Sequence, residues 1–225
     1  MTLSEVLNTL EAVYGLPAPP PTDDPFELIV WEAVAYLADD AARAAAFGRL
    51  RRQIGTQPEQ ILGAPPGVLE QIGRAGILPA SSADKLRTAA AIALEQLDAD
   101  LTQLRHIPLA EARRALRRFP GLGEPGADKI LLLARLHPVL ALDSNGLRTL
   151  VRLGYGQESR SYAATYRSAL AAVQAELPRA ASFEWLIRAH LLLRQHGQQV
   201  CRRSTPACPA CPVSNTCAYA RSQRH

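Results

Sequence analysis

Apolar residues recur along this chain at intervals of three and four, the spacing of one helical face. The first run, Leu3, Val6, Leu7, Leu10, Val13 and Tyr14, predicts an amphipathic helix that stops at Gly15. PAPPPTDD (17–24) follows, a stiff linker without helix-forming capacity. Asp24-Pro25-Phe26-Glu27 reads as the next helix start: Asp24 is the N-cap, Pro25 takes the first position and Glu27 completes a capping box. The apolar helical run that follows continues to Ala38. Gly and Pro then separate helices at 40–53, 57–62, 66–73, 81–97, 109–118, 125–136, 144–153, 160–176 and 181–196. His137-Pro138 ends the segment 125–136, because the residue before proline avoids the α region. Val, Ile and Thr rarely alternate with polar residues, and there is no G-x-G-x-x-G. The pattern predicts an all-α protein.

At 225 residues the chain suits one large domain or two small ones, and 48% hydrophobic content excludes wholesale disorder. No apolar run reaches the roughly 18–20 residues of a membrane span. The N-terminus carries acids and no basic n-region, so a cytoplasmic protein is expected. A net charge of +4 permits a nucleic-acid partner without demanding one. Of the 25 basic side chains only Lys85 and Lys129 are lysines, so amine nucleophiles are nearly absent.

All four cysteines fall within 17 residues, as Cys201-x6-Cys208-x2-Cys211-x5-Cys217. A disulfide framework would distribute cysteines through a secreted chain. Structural zinc usually shows two C-x2-C pairs; here there is one. The compact wrap suits a [4Fe–4S] cluster, one thiolate per iron, with zinc and free thiols as the alternatives. The histidines (106, 137, 190, 196, 225) show no ligand spacing and read as structural or surface.

Phe119-Pro120-Gly121-Leu122-Gly123 is a tight turn between two helices. Its glycines allow close backbone approach, and the next helix begins with free N–H groups, an arrangement that holds phosphate without reading bases. This hairpin, the Leu142-Asp143-Ser144-Asn145 segment and the cysteine tail together resemble the helix–hairpin–helix DNA glycosylases, in their iron–sulfur branch of endonuclease III and adenine-DNA glycosylase. The resemblance runs from about Asp24 to Tyr219. It implies two helical lobes with lesion-bearing duplex DNA between them: a six-helix barrel at 23–137 containing the hairpin unit 109–136, and a lobe at 138–225 carrying the cluster loop 201–217, against which the N-terminal helix (1–22) packs.

The resemblance also assigns roles. Asp143 falls at the catalytic aspartate. Taken alone it would simply cap the next helix, and the two duties are compatible, since a helix N-terminus keeps a carboxylate ionised. Asn145 matches the adenine glycosylases. Where the bifunctional members carry their lysine, this chain has Pro125, so a water-using, monofunctional enzyme with weak or absent lyase activity is expected. Lys129, one turn on, reads as a solvated or phosphate-facing side chain, with a rescue nucleophile for a bifunctional enzyme as the alternative. Glu32 is the only charge in the apolar run 28–38 and matches the glutamate of adenine glycosylases; desolvation would raise its pKa and let it protonate a departing base. Gly121, Leu122, Gly123 and Gly126 are expected to grip the DNA backbone with Arg202 and Arg203, while Arg148 is either basic contact or structure.

The wedge positions depart from the adenine glycosylases. Leu37 replaces a glutamine, and loop 76–80 lacks their tyrosine, leaving Ile77 or Leu78 as an apolar wedge. The eight residues after Cys217 also leave no room for the C-terminal domain with which adenine glycosylases read the opposite base. The expectation is therefore a monomeric, monofunctional DNA glycosylase of base excision repair acting on a damaged or mispaired base, with purines or alkylated purines favoured, working at the nucleoid. The rivals are a bifunctional glycosylase and lyase, and a DNA-binding protein whose pocket has decayed.

Overall fold

A computed structural model describes residues 1–223; Arg224 and His225 lie outside the described residues. Every regular element among the described residues is helical. No helix among them is long and apolar enough to cross a membrane. The chain forms two compact units: Met1–Pro19 together with residues from Pro138 onward, and Pro20–His137.

In the first unit, α1 (Leu3–Tyr14) begins with a reciprocal capping box between Thr2 and Glu5 and lies on α11 (Phe183–Gln199). Leu3, Leu7 and Leu10 are fully enclosed, each contributing about 1.5–3 kcal/mol of burial. Val13, expected on the same face, is 58% exposed. The buried stripe closes at Leu10, and beyond it Arg188 of α11 grips the polar edge through Glu11 and Asn8. Helix α9 (Ser144–Leu153) packs along α11, with α10 (Tyr162–Val173) and α12 (Ala218–Ser222) against it. Gly197 makes the α9–α11 crossing possible, since a Cβ there would lie 2.4 Å from the Asn145 carbonyl oxygen.

The second unit runs α2 (Pro25–Ala33), α3 (Asp40–Gln53), α4 (Pro58–Leu62), α5 (Val68–Gly73), α6 (Pro79–Leu97), a 3-10 turn Leu101–His106, α7 (Leu109–Leu116) and α8 (Glu124–Leu133). Asp24 caps α2 through the Glu27 N–H. Glu27 does not return the bond: it accepts from Thr22, Arg51 and Thr56, and Thr22 Oγ1 takes the Asp24 N–H instead. Helix α2 also ends at Ala33 rather than reaching Ala38. The Tyr36 carbonyl accepts from the Ile77 N–H at 3.1 Å, so residues 34–38 serve the loop contact instead of a helix, and Tyr36 is not on the helix with Glu32. Helix α8 stops at Leu133, before His137-Pro138, because the Leu131 carbonyl accepts the N–H groups of both Leu136 and His137.

Candidate functional site

In the second unit, the hairpin joins α7 to α8, and a buried charge pair fixes the angle between them. Asp128 is fully enclosed and accepts from Arg113 Nε at 2.6 Å and Nη2 at 3.1 Å, a bidentate geometry. Between these helices Phe119 is buried and Gly121 holds φ +83°, a left-handed conformation that favours glycine. Gly123 is the N-cap of α8 and supplies no side-chain bond to its first N–H groups. Lys85 of α6 comes to the same turn: its Nζ lies 3.8 Å from where a Gly121 Cβ would sit and 4.7 Å from the Tyr36 ring centre. No local pattern marks Lys85, because its partners lie 36 and 49 positions away.

The loop after α2 and the loop before α6 meet closely. A Cβ on Gly76 would lie 2.5 Å from the Tyr36 nitrogen, so only glycine lets the two backbones touch. Leu37 (67% exposed), Ile77 (62%) and Leu78 (49%) stand out from this junction, and Leu37 holds φ +56°, uncommon for a branched side chain. Lys129 differs from expectation. Its ammonium is mostly enclosed and paired: Nζ donates to Glu32 Oε2 at 2.5 Å, with the side chains only 16% and 25% exposed. Glu32 is thus half-buried with a cation in contact, not a carboxyl isolated among apolar groups.

In the first unit, Asp143 N-caps α9. Its Oδ1 accepts from the N–H groups of Asn145 (3.0 Å) and Gly146 (2.7 Å), and its Oδ2 accepts from Asn145 Nδ2 at 3.3 Å. Arg194 of α11, which no motif marks, brings Nε to 3.3 Å from Oδ2. Burial, and then the charge of Asp143, push the Tyr162 phenol up to about 12, so Tyr162 stays neutral and able to donate. Arg148 is structural: it donates to the Cys201 and Gly197 carbonyls and to Asn145 Oδ1. Four residues on, Arg152 donates to the Arg202 and Arg203 carbonyls and stacks on Tyr219. Two arginines of α9 therefore hold the cysteine loop by its backbone, leaving the side chains of Arg202 and Arg203 exposed. These two line a groove with Arg160, Tyr162, Ser144 and Asn145.

The four thiols line one small pocket walled by Leu153, Val200, Val213 and Tyr219. Among the described residues no group of three His, Cys, Asp or Glu side chains is placed for a single metal ion. Four thiols on one pocket are the donor chemistry of an iron–sulfur cluster and of structural zinc alike. Burial pushes the Cys211 and Cys217 thiols up, a cost that a bound metal offsets by stabilising thiolates. His196, whose pKa burial lowers to about 4, stands with Nε2 3.6 Å from Cys211 Sγ and Nδ1 on the Tyr14 hydroxyl at 2.8 Å. The buried His190 and half-buried His137 hydrogen-bond the Ala141 and Leu104 carbonyls.

No protein-family model matches the chain. Endonuclease III of Rickettsia prowazekii is 28% identical over 106 residues, 47% of this chain and 46% of that protein, so the match spans about half the relative's length. Endonuclease III of Escherichia coli is 24% identical over 195 residues, 87% of this chain and 84% of that protein. Among solved structures, a trapped covalent intermediate of endonuclease III with DNA superposes with a TM-score of 0.77 over 100% of both chains, at 21% identity. In sequence the chain is similar to endonuclease III proteins, and in fold it is similar to solved endonuclease III structures.

Proposed function

We propose that this chain is a DNA glycosylase of base excision repair that hydrolyses the N-glycosidic bond of a flipped nucleotide with water. The observation that carries the reading is Asp143: a carboxylate at a helix N-terminus, with two backbone N–H groups on one oxygen, is a preorganised anion. Such a group stabilises a sugar that becomes cationic as its base departs and orients the attacking water. The Glu32–Lys129 pair carries a proton toward the leaving base, for which a purine or alkylated purine is favoured. Gly121, Leu122, Gly123 and Gly126 grip the phosphate backbone, Arg202 and Arg203 add charge, and Leu37, Ile77 and Leu78 fill the gap left in the stack. A [4Fe–4S] cluster on Cys201, Cys208, Cys211 and Cys217 would hold the loop that presents Arg202 and Arg203. The enzyme acts as a monomer at the cytoplasmic nucleoid, on duplex DNA bearing a lesion or mismatch.

Pro125, which has no amine, and the engagement of Lys129 by Glu32 support hydrolysis over strand cleavage. A second reading draws on the same contact: an amine beside a carboxylate base is also the arrangement of an imine-forming nucleophile, which would make the enzyme bifunctional. Base release from duplexes containing uracil, T·G, A·8-oxoguanine, hypoxanthine, alkylated purines or oxidised pyrimidines decides between them. Breaks seen only after alkali, and lost in Asp143→Asn, support hydrolysis. Breaks without alkali, with a borohydride-trapped adduct that disappears in Lys129→Met, support the second reading. Tight binding to distorted DNA without base release would reduce the chain to a binding protein.

A further inference from the structure

The oxygens of Asp143 are already occupied. Asn145 and Gly146 supply three of the contacts, and these belong to the N-terminus of α9 itself. Arg194 is different: it reaches Oδ2 from α11 and brings a full positive charge to 3.3 Å. The N-cap bonds orient the carboxylate without it. A guanidinium there opposes the proposed duty of Asp143, because a carboxylate stabilises a cationic sugar only through uncompensated negative charge. The two side chains are 24% and 18% exposed, so an incoming ligand can reach the pair.

The surface next to the pair is suited to a polyanion. Ser144 and Asn145, the residues immediately after Asp143, line the groove that also carries the exposed Arg160, Arg202 and Arg203, one exposed carboxylate, Glu158, and the neutral Tyr162 hydroxyl, so its cations outnumber its anion. Phosphate matches a guanidinium's fork of donors as well as a carboxylate does. We propose that Arg194 is a substrate-operated latch: it pairs with Asp143 in the free protein, and a backbone phosphate of the bound strand takes it over, releasing Oδ2 to the target sugar. This inference rests on the reading of Asp143 as the catalytic carboxylate. The exchange makes and breaks only ionic contacts, and it withholds the bare carboxylate until a strand is in place.

The test is equilibrium binding of a duplex carrying an uncleavable tetrahydrofuran site, measured across a range of NaCl concentrations. Replacing Arg194 by glutamine should flatten the plot of log affinity against log salt by the share of one phosphate, about 0.9. Arg194→Lys should retain the wild-type slope. Asp143→Asn should tighten binding several-fold, partly by removing a negative charge and partly by freeing Arg194. The second part should vanish when Asp143→Asn is made on the Arg194→Gln background, leaving a smaller gain. A slope unchanged in Arg194→Gln, or the same Asp143→Asn gain on both backgrounds, would overturn the latch. If Arg194→Gln does not fold, Asp143→Asn alone decides, since an unchanged affinity contradicts a guanidinium released to phosphate. Loss of base release bears on the catalytic reading and not on these slopes; wild-type protein that binds no duplex would overturn both.

Discussion

Lys129 Nζ stands 2.5 Å from Glu32 Oε2, tying the middle of α8 to the last turn of α2. The two residues are 97 positions apart in the chain. One was expected to be an isolated acid and the other a solvated base. Their contact makes them a unit, so removing either takes from the other its 2.5 Å partner in a half-buried place.

Glu32→Gln is expected to slow base release by about 10²–10⁴-fold, the usual worth of positioned acid–base help. Duplex affinity should change by less than about threefold. Lys129→Met should lower unfolding stability by about 1–2 kcal/mol, between the values for exposed and buried pairs. Single-turnover kinetics and denaturant melts check both, and a fully active Glu32→Gln enzyme would remove Glu32 from the mechanism.

Cys208→Ser tests the cysteine pocket. The variant should lose bound iron, about four per chain in the wild type, and the broad visible absorbance of a cluster. Residues 202–210 should then become open to protease, since the bonds from Arg152 to the Arg202 and Arg203 carbonyls lie at one end of the loop. Zinc in place of iron in freshly purified protein would point to the alternative metal.

Glu27 governs acid stability. Burial works against its charge, but the hydroxyls of Thr22 and Thr56 and the guanidinium of Arg51 outweigh it and hold its carboxyl below the usual value of 4.5. A lowered folded pKa gives stabilisation that is full above about pH 4.5 and lost as pH falls through the folded value. Glu27→Gln should therefore melt below the wild type at pH 7, and the gap should narrow progressively as pH falls below 4.5. A gap that does not narrow with acidification would mean that packing, not charge, is at work.

Leu37 holds a left-handed backbone with its side chain two-thirds exposed, strain of the kind that gathers at functional loops. Leu37→Gly should relieve it, raising unfolding stability by up to about 1 kcal/mol. The same change should narrow the preference for a distorted duplex over a plain one by several-fold. Thermal melts and competition binding would show the two effects moving in opposite directions; a variant unchanged in both would remove Leu37 from the wedge.

The helices were largely legible because each rests on local signals. Asp39, absent from the apolar pattern, caps α3 at the predicted start, and Gly15, Gly123 and Gly154 bound α1, α8 and α9 where the glycines punctuate the chain. Errors arose where a distant backbone competed with the local pattern. Residues 34–38 are as apolar as a helix requires, yet Gly76 and Ile77, some forty positions on, draw the Tyr36 backbone into a loop contact. The turn at Leu101–His106 has no apolar period long enough to announce it.

By itself, the sequence determined that the chain is helical, that its four sulfurs form one compact donor set, and that a glycine hairpin precedes a helix with open N–H groups. These are matters of spacing, and a helix or loop converts spacing directly into geometry. It also put Asp143 at a helix start, where the capping preference of aspartate is local. Only the tertiary structure decided which charges compensate one another: Lys129 with Glu32, Arg113 with Asp128, Arg194 with Asp143. Coulomb energy depends on distance through space and on exclusion of water, and neither is written in the order of residues until the helices that carry them have packed.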